Sequence, residues 1–158
     1  MLVVKRTIFT ESNYYTGPDL TDDMVAEAEA RLGYRLPKSY LQLLRIRNGG
    51  VPERCCFKTT FATSWAHDHI KIDAILGIGG PWGIDAGPQS SAEMITEWGY
   101  PAIGIVICDL PSGGHDTVML DYSQHDPEPQ VVYIDEDRSP RVLAPSFAQF
   151  LEGLIECG

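Results

Sequence analysis

Two links in the second half of the chain constrain the fold most. Residues 109–116 and 123–129 join three apolar segments, 103–108, 117–122 and 130–134. A parallel crossover needs about a dozen residues or more, usually a helix, so links this short make the three segments neighbours in an antiparallel meander. Pro111-Ser112-Gly113-Gly114 supplies the first turn. Segment 103–108 is the most apolar and is the candidate central strand.

Helical signals flank this meander. Leu20 precedes a Thr21 N-cap and Val25 sits four residues inside, the spacing of a hydrophobic staple. Met24, Val25, Ala28 and Leu32 repeat at helical spacing up to the Gly33 stop, with Glu27, Glu29 and Arg31 on the side expected to face water. Leu36-Pro37 opens a second helix with Tyr40, Leu41, Leu43 and Leu44 on its apolar face, and Asn48-Gly49-Gly50 is expected to close it in the left-handed conformation. Segments 55–61 and 70–78 read as strands, and 91–98 as a short helix with Ala92, Ile95 and Trp98 on one face. Ser146 with Gln149 three residues on marks a capping box for the last helix, which carries Phe147, Phe150, Leu151 and Leu154. Helices packed on an antiparallel or mixed sheet make an α+β fold. With no repeat, low-complexity tract or linker, the expectation is a single domain over residues 1–158.

Composition narrows the function classes. At 158 residues and 44% hydrophobic, such a domain buries about two-thirds of its unfolded surface without needing a disulfide or metal. Twenty-two acids against twelve bases leave a charge of −10, the wrong sign for a non-specific binder of nucleic acid or anionic membrane. A cationic protein partner is the natural expectation. No apolar run approaches the roughly 20 residues of a membrane span. Residues 1–10, with Lys5 and Arg6, lack the apolar stretch of a signal peptide, so a cytoplasmic protein is expected. The four cysteines, Cys55 and Cys56 adjacent, show no paired zinc or redox spacing and read as free cytosolic thiols.

The block Leu32-Gly33-Tyr34-Arg35-Leu36-Pro37-Lys38-Ser39-Tyr40, followed by Leu44 and Asn48-Gly49-Gly50, resembles the signature of the SMI1/KNR4 family of the SUKH superfamily. Residues 101–109 resemble its strand after a short helix, Gly114-His115-Asp116 its glycine-aspartate turn, and 144–154 its closing Ser-Phe-x-x-Phe-Leu helix. The likeness spans roughly residues 20–155. Departures are the glycine-rich loop 81–87 and the histidine in the 114–116 turn. The resemblance implies an SMI1/KNR4-like fold and a non-enzymatic protein-binding domain. Bacterial relatives include immunity proteins that neutralise polymorphic toxins, and fungal relatives are regulators tied to cell-wall synthesis. A bacterial immunity-type member is the reading it favours, with a cellular regulatory module as the alternative. Signature residues such as Gly33, Pro37, Tyr40 and Asn48 are turn, cap and core positions, so the binding surface must be sought elsewhere.

Charge is unevenly spread. Asp109, Asp116, Asp121, Asp126, Glu128, Asp135, Glu136 and Asp137 face no lysine or arginine across 109–137, whereas 31–58 holds Arg31, Arg35, Lys38, Arg45, Arg47, Arg54 and Lys58 against Glu53. If the meander turns cluster, the acids form one negative edge that steers a basic toxin domain, such as a nuclease whose cleft must hold phosphates. The expected interface is Trp82, Asp109, His115, Asp116, Asp135 and Glu136, with Trp82 a loop anchor between Pro81 and Gly83. His67-Asp68-His69 is the one local metal-like pattern; on a strand its imidazoles share a face, and Asp73 or His115 would have to add a third ligand for a metal-dependent enzyme. His115-Asp116 with Ser112 lacks a nucleophile elbow and reads as a turn. No cofactor or metal is expected.

Overall fold

The computed structural model describes residues 8–124 and 128–157. Helix α1 (Asp22–Leu32) starts where Thr21 accepts from the Met24 amide, and it stops at left-handed Gly33. Glu29 does not face water as expected. Its Oε2 accepts from the Leu36 amide at 2.7 Å and ties α1 to the start of α2 (Lys38–Ile46). Helix α2 buries Tyr40, Leu43 and Leu44, while its end departs from the expected cap: Arg47 is already extended. Asn48 instead turns inward, only 3% exposed. Its Nδ2 donates to the Pro18 and Ile78 carbonyls, both at 2.7 Å, and its Oδ1 accepts from the Ile78 amide at 2.8 Å. The residue brackets three chain segments.

All strand pairs are antiparallel. One sheet holds β3 (Ala74–Ile75), β4 (Gly104–Asp109), β5 (Thr117–Asp121), β6 (Gln130–Ile134) and β7 (Pro140–Ala144) in sequence order. The meander is therefore as the short links require, with β4 an interior strand and β5 at the centre. A second sheet has the order β2 (His69–Lys71), β1 (Cys56–Lys58), β8 (Leu154–Ile155). Segment 70–78, expected as one strand, is two: the chain leaves the small sheet after Lys71 and enters the large one at Ala74. The 55–61 segment shortens to β1.

Period-2 alternation sorts the large sheet's side chains onto two faces. Ile105, Val118, Leu120, Val131 and Tyr133 join the main core with α1, α2 and α4 (Phe147–Gly153), where Tyr40 meets Phe147 edge-on. Val106, Met119, Val132 and Ile134 form a second core under α3 (Ser91–Trp98), against Met94, Ile95 and Trp98. Ala92, expected on that face, is exposed. A bulge between Val106 and Cys108 lets Ile107 and Cys108 both enter the main core. Ser91 locks α3 there by accepting from the Val106 amide at 2.9 Å. Four helices and two antiparallel sheets make the fold α+β among the described residues. No helix among them is long and apolar enough to cross a membrane.

The cysteine reading needs correction. Cys56 and Cys157 form a disulfide that fastens the chain beyond β8 to β1, leaving Cys55 and Cys108 free. The bond joins residues 101 apart, a separation that carries no local pattern. Disulfides belong mainly to oxidising compartments, so the cysteines no longer argue for the cytosol.

Candidate interaction site

Strand register decides which acids share an end of the sheet. Gly104 pairs with Asp121 and Thr117 with Ile134, so Asp109, Asp116 and 135–137 gather at one end while Asp121 and Glu128 lie at the other. Asp126 lies outside the described residues. The single acidic edge is thus divided between two ends of the sheet.

At the first end, three turns border an open cavity of about 290 Å³ lined by Ser64, Trp65, Ser112, His115, Asp116, Asp135 and Glu136. Four of the six expected interface residues meet there. Two of them are internal: Asp116 is 5% and Asp135 is 7% exposed. Asp116 accepts from the Ser112 and Tyr133 hydroxyls, closing the 112–116 turn. Asp135 accepts from the Ser64 amide at 2.9 Å, the Ser64 hydroxyl at 2.6 Å and the Glu136 amide at 2.8 Å. Burial acts to raise its pKa, but the Ser64 and Glu136 donors outweigh it and hold the carboxyl below the usual aspartate value.

What reaches solvent is different. His115 Nδ1 stands 3.5 Å from Glu136 Oε2, with both side chains mostly exposed. The Thr63 hydroxyl accepts from the Trp65 and Ala66 amides, shaping a tight turn that leaves the Trp65 ring 48% exposed at the rim. The histidine faces Glu136, and the serine and aspartate face each other, so Ser112, His115 and Asp116 form no nucleophile-base-orienter chain. The turn reading of this motif holds.

Sequence reasoning missed Ser64, Trp65 and Arg138. Arg138 adopts φ 62°, the one non-glycine residue at positive φ among those described, a conformation uncommon for a side chain of this size. Its guanidinium lies over the Tyr100 ring and donates to the carbonyls of His115 (2.7 Å), Asp135 (3.0 Å) and Trp98 (3.1 Å). One cation thereby clamps the 112–116 turn, the 135–138 turn and the end of α3. Gly114 makes this possible: at φ 115° it lies so close to the Trp98 ring that a Cβ there would collide with the indole.

The other two expected residues lie in a separate patch. Trp82 packs on Tyr14 and Tyr15, with ring centres 5.6 and 4.7 Å away, and Tyr14 is 67% exposed. The Tyr15 hydroxyl donates to Asp109 Oδ2 at 2.8 Å. Burial raises the pKa of Asp109; the Tyr15 hydrogen bond lowers it and the nearby Asp73 charge raises it again.

His67 and His69 do not share a strand face, because β2 begins only at His69. Both turn toward Asp68, His69 Nδ1 at 2.9 Å and His67 Nε2 at 3.9 Å. The one cluster of three potential ligand residues among the described residues is Cys55, Cys56 and Cys157, and the disulfide between Cys56 and Cys157 removes two of its thiolates.

The fold is α+β, and one end of its large sheet carries internally satisfied acids, clamped turns and an exposed tryptophan near a histidine and a glutamate. The family model for SMI1 / KNR4 (SUKH-1) matches residues 19–153, and the chain belongs to that family. No curated protein matches it at a significant level.

Proposed function

We propose that this domain is an immunity protein that neutralises a cognate toxin domain by stoichiometric binding, occluding it through the cavity among residues 63–66, 112–116 and 135–138. The observation that carries the proposal is the division of labour in that cavity. Asp116 and Asp135 spend their acceptor capacity on the protein's own donors, while Trp65, His115 and Glu136 are presented outward. Such an arrangement suits recognition better than proton transfer. An exposed tryptophan at a concave rim is the kind of side chain that dominates interface energetics. Glu136 gives the cavity an unburied negative charge, and the net charge of −10 favours encounter with a basic partner. Family membership supports a protein-binding role.

The test mixes this domain with candidate basic toxin domains and follows association by surface kinetics at low and moderate salt. Trp65→Ala should raise the dissociation rate roughly tenfold or more, in line with the loss of an interface anchor. Glu136→Lys should slow association and flatten its salt dependence. Wild-type kinetics in both variants, with unchanged thermal melting, would remove this cavity from the interface.

A further inference from the structure

Cys55 is a free thiol placed against a disulfide. Its Sγ lies 2.9 Å from Cys157 Sγ, the sulfur that is bonded to Cys56, and all three sulfurs fall within 4.8 Å of one another. The backbone enforces the juxtaposition. The Cys55 carbonyl accepts from the Ile72 amide at 2.7 Å, and Cys56 pairs with Lys71 on one side and Ile155 on the other. The remaining cysteine, Cys108, is buried in β4, where desolvation pushes its thiol pKa far up and keeps it inert.

We propose that Cys55, Cys56 and Cys157 form a thiol–disulfide exchange site in which Cys157 passes between its two adjacent partners. Exchange proceeds by attack of a thiolate on a disulfide sulfur. Cys55 gives its proton to water, and its Sγ attacks Cys157 Sγ. The Cys55–Cys157 bond forms as the Cys157–Cys56 bond breaks, and the electron pair leaves on Cys56 Sγ, which takes a proton from water. One disulfide and one thiol exist before and after, so neither oxidant nor reductant is consumed.

The outside reactant for this site is a small monothiol. Cys157 is exposed and Cys56 is only 4% exposed, so an external thiolate meets Cys157 first. Its attack leaves a mixed disulfide on Cys157 and releases Cys56. Cys55 then attacks Cys157, expels the small thiol and restores an internal bond. Cys55 is the resolving residue, and a monothiol shifts the linkage without opening it. The two linkages differ in what remains free: half-buried Cys55 in one, buried Cys56 in the other.

The test is mass-spectrometric mapping after acid quench and alkylation, with glutathione as the monothiol at mildly alkaline pH. In the wild-type protein, alkylation should appear at both Cys55 and Cys56. Cys56→Ser incubated with oxidised glutathione should form a Cys55–Cys157 bond, the oxidised glutathione being reduced to two monothiols, and leave Cys108 as its free thiol. Cys55→Ser, which retains the observed disulfide, should carry more glutathione adduct on Cys157 than the wild type, because only the released Cys56 is left to resolve it. Label confined to Cys55 in the wild type, together with equal adduct levels in Cys55→Ser, would overturn the proposal. These two readouts do not depend on Cys56→Ser folding.

Discussion

Asn48 is where a single side chain should matter most to the fold. It is buried, and its amide makes three hydrogen bonds to backbone groups of two other segments. Asn48→Ala removes all three. Pro18 is exposed, so its carbonyl regains water, but Ile78 is 1% exposed and its amide and carbonyl are left without partners. An unsatisfied buried polar group costs about 1–3 kcal/mol, which puts the loss at about 3–5 kcal/mol. That is a large part of the roughly 5–15 kcal/mol by which a domain is stable. Asn48→Asp is nearly isosteric and keeps the acceptor for the Ile78 amide, yet it aims a carboxylate oxygen at two carbonyls. At neutral pH it should be at least as damaging as alanine, and its penalty should shrink in acid, where a protonated carboxyl regains one donor. Urea unfolding followed by circular dichroism measures both, with unchanged m-values required for the comparison. A loss under about 1 kcal/mol for alanine, or wild-type stability for aspartate at pH 7, would refute the bracket reasoning.

Two acids of the candidate interface should respond to pH with opposite sign. Burial raises the Asp109 pKa, so the folded state holds that proton to higher pH than the unfolded state does; its stabilising share is complete below the unfolded value and lost as pH rises through the folded one. Asp109→Asn should therefore raise the melting temperature at pH 7 and leave it unchanged near pH 3. Asp135 is depressed by its donors, so its share is present above the unfolded value and lost as pH falls through the folded one; Asp135→Asn should destabilise at pH 7, with the deficit fading in acid. Thermal melts at the two pH values check both, and equal responses would contradict the burial argument. Gly114→Ala combines a left-handed backbone with a collision at Trp98, and should cost about 2 kcal/mol or more, seen in unfolding and as a shifted tryptophan emission.

The helices were legible because their signals are local. Thr21, Gly33 and Ser146 cap helices through bonds to residues three or four away, and each sits where the sequence places it. Elements defined by distant partners were not. Residues 70–78 read as one apolar run, and nothing within the run says that it changes sheets. Strand β7 begins with a proline and exposes Val142, features that hide an edge strand, and β8 exists only through its pairing with β1. The site divides in the same way. His115, Asp116, Asp135 and Glu136 come together because meander turns on one end of a sheet must be neighbours. Ser64 and Trp65 arrive from a loop some seventy positions away from Asp135, a contact no spacing rule reaches. The burial of Asp116 and Asp135 was equally invisible, since a charged turn residue and a buried one look alike in sequence.

That burial changes what the acidic character of the chain can do. Long-range attraction depends on net charge, and an internally bonded carboxylate contributes to it as fully as an exposed one. Contact specificity depends on which groups a partner can touch. At the cavity these are Trp65, His115 and Glu136, because Asp116 and Asp135 are committed to Ser112, Tyr133 and Ser64. Under the proposed function, steering rests on the net charge and recognition on the three exposed side chains. Association rate should follow total charge and salt, whereas residence time should follow the tryptophan and the two exposed titratable side chains. An immunity protein of the kind proposed gains from this separation: its specificity can change by substitution at the rim while the buried acids go on holding the turns in place.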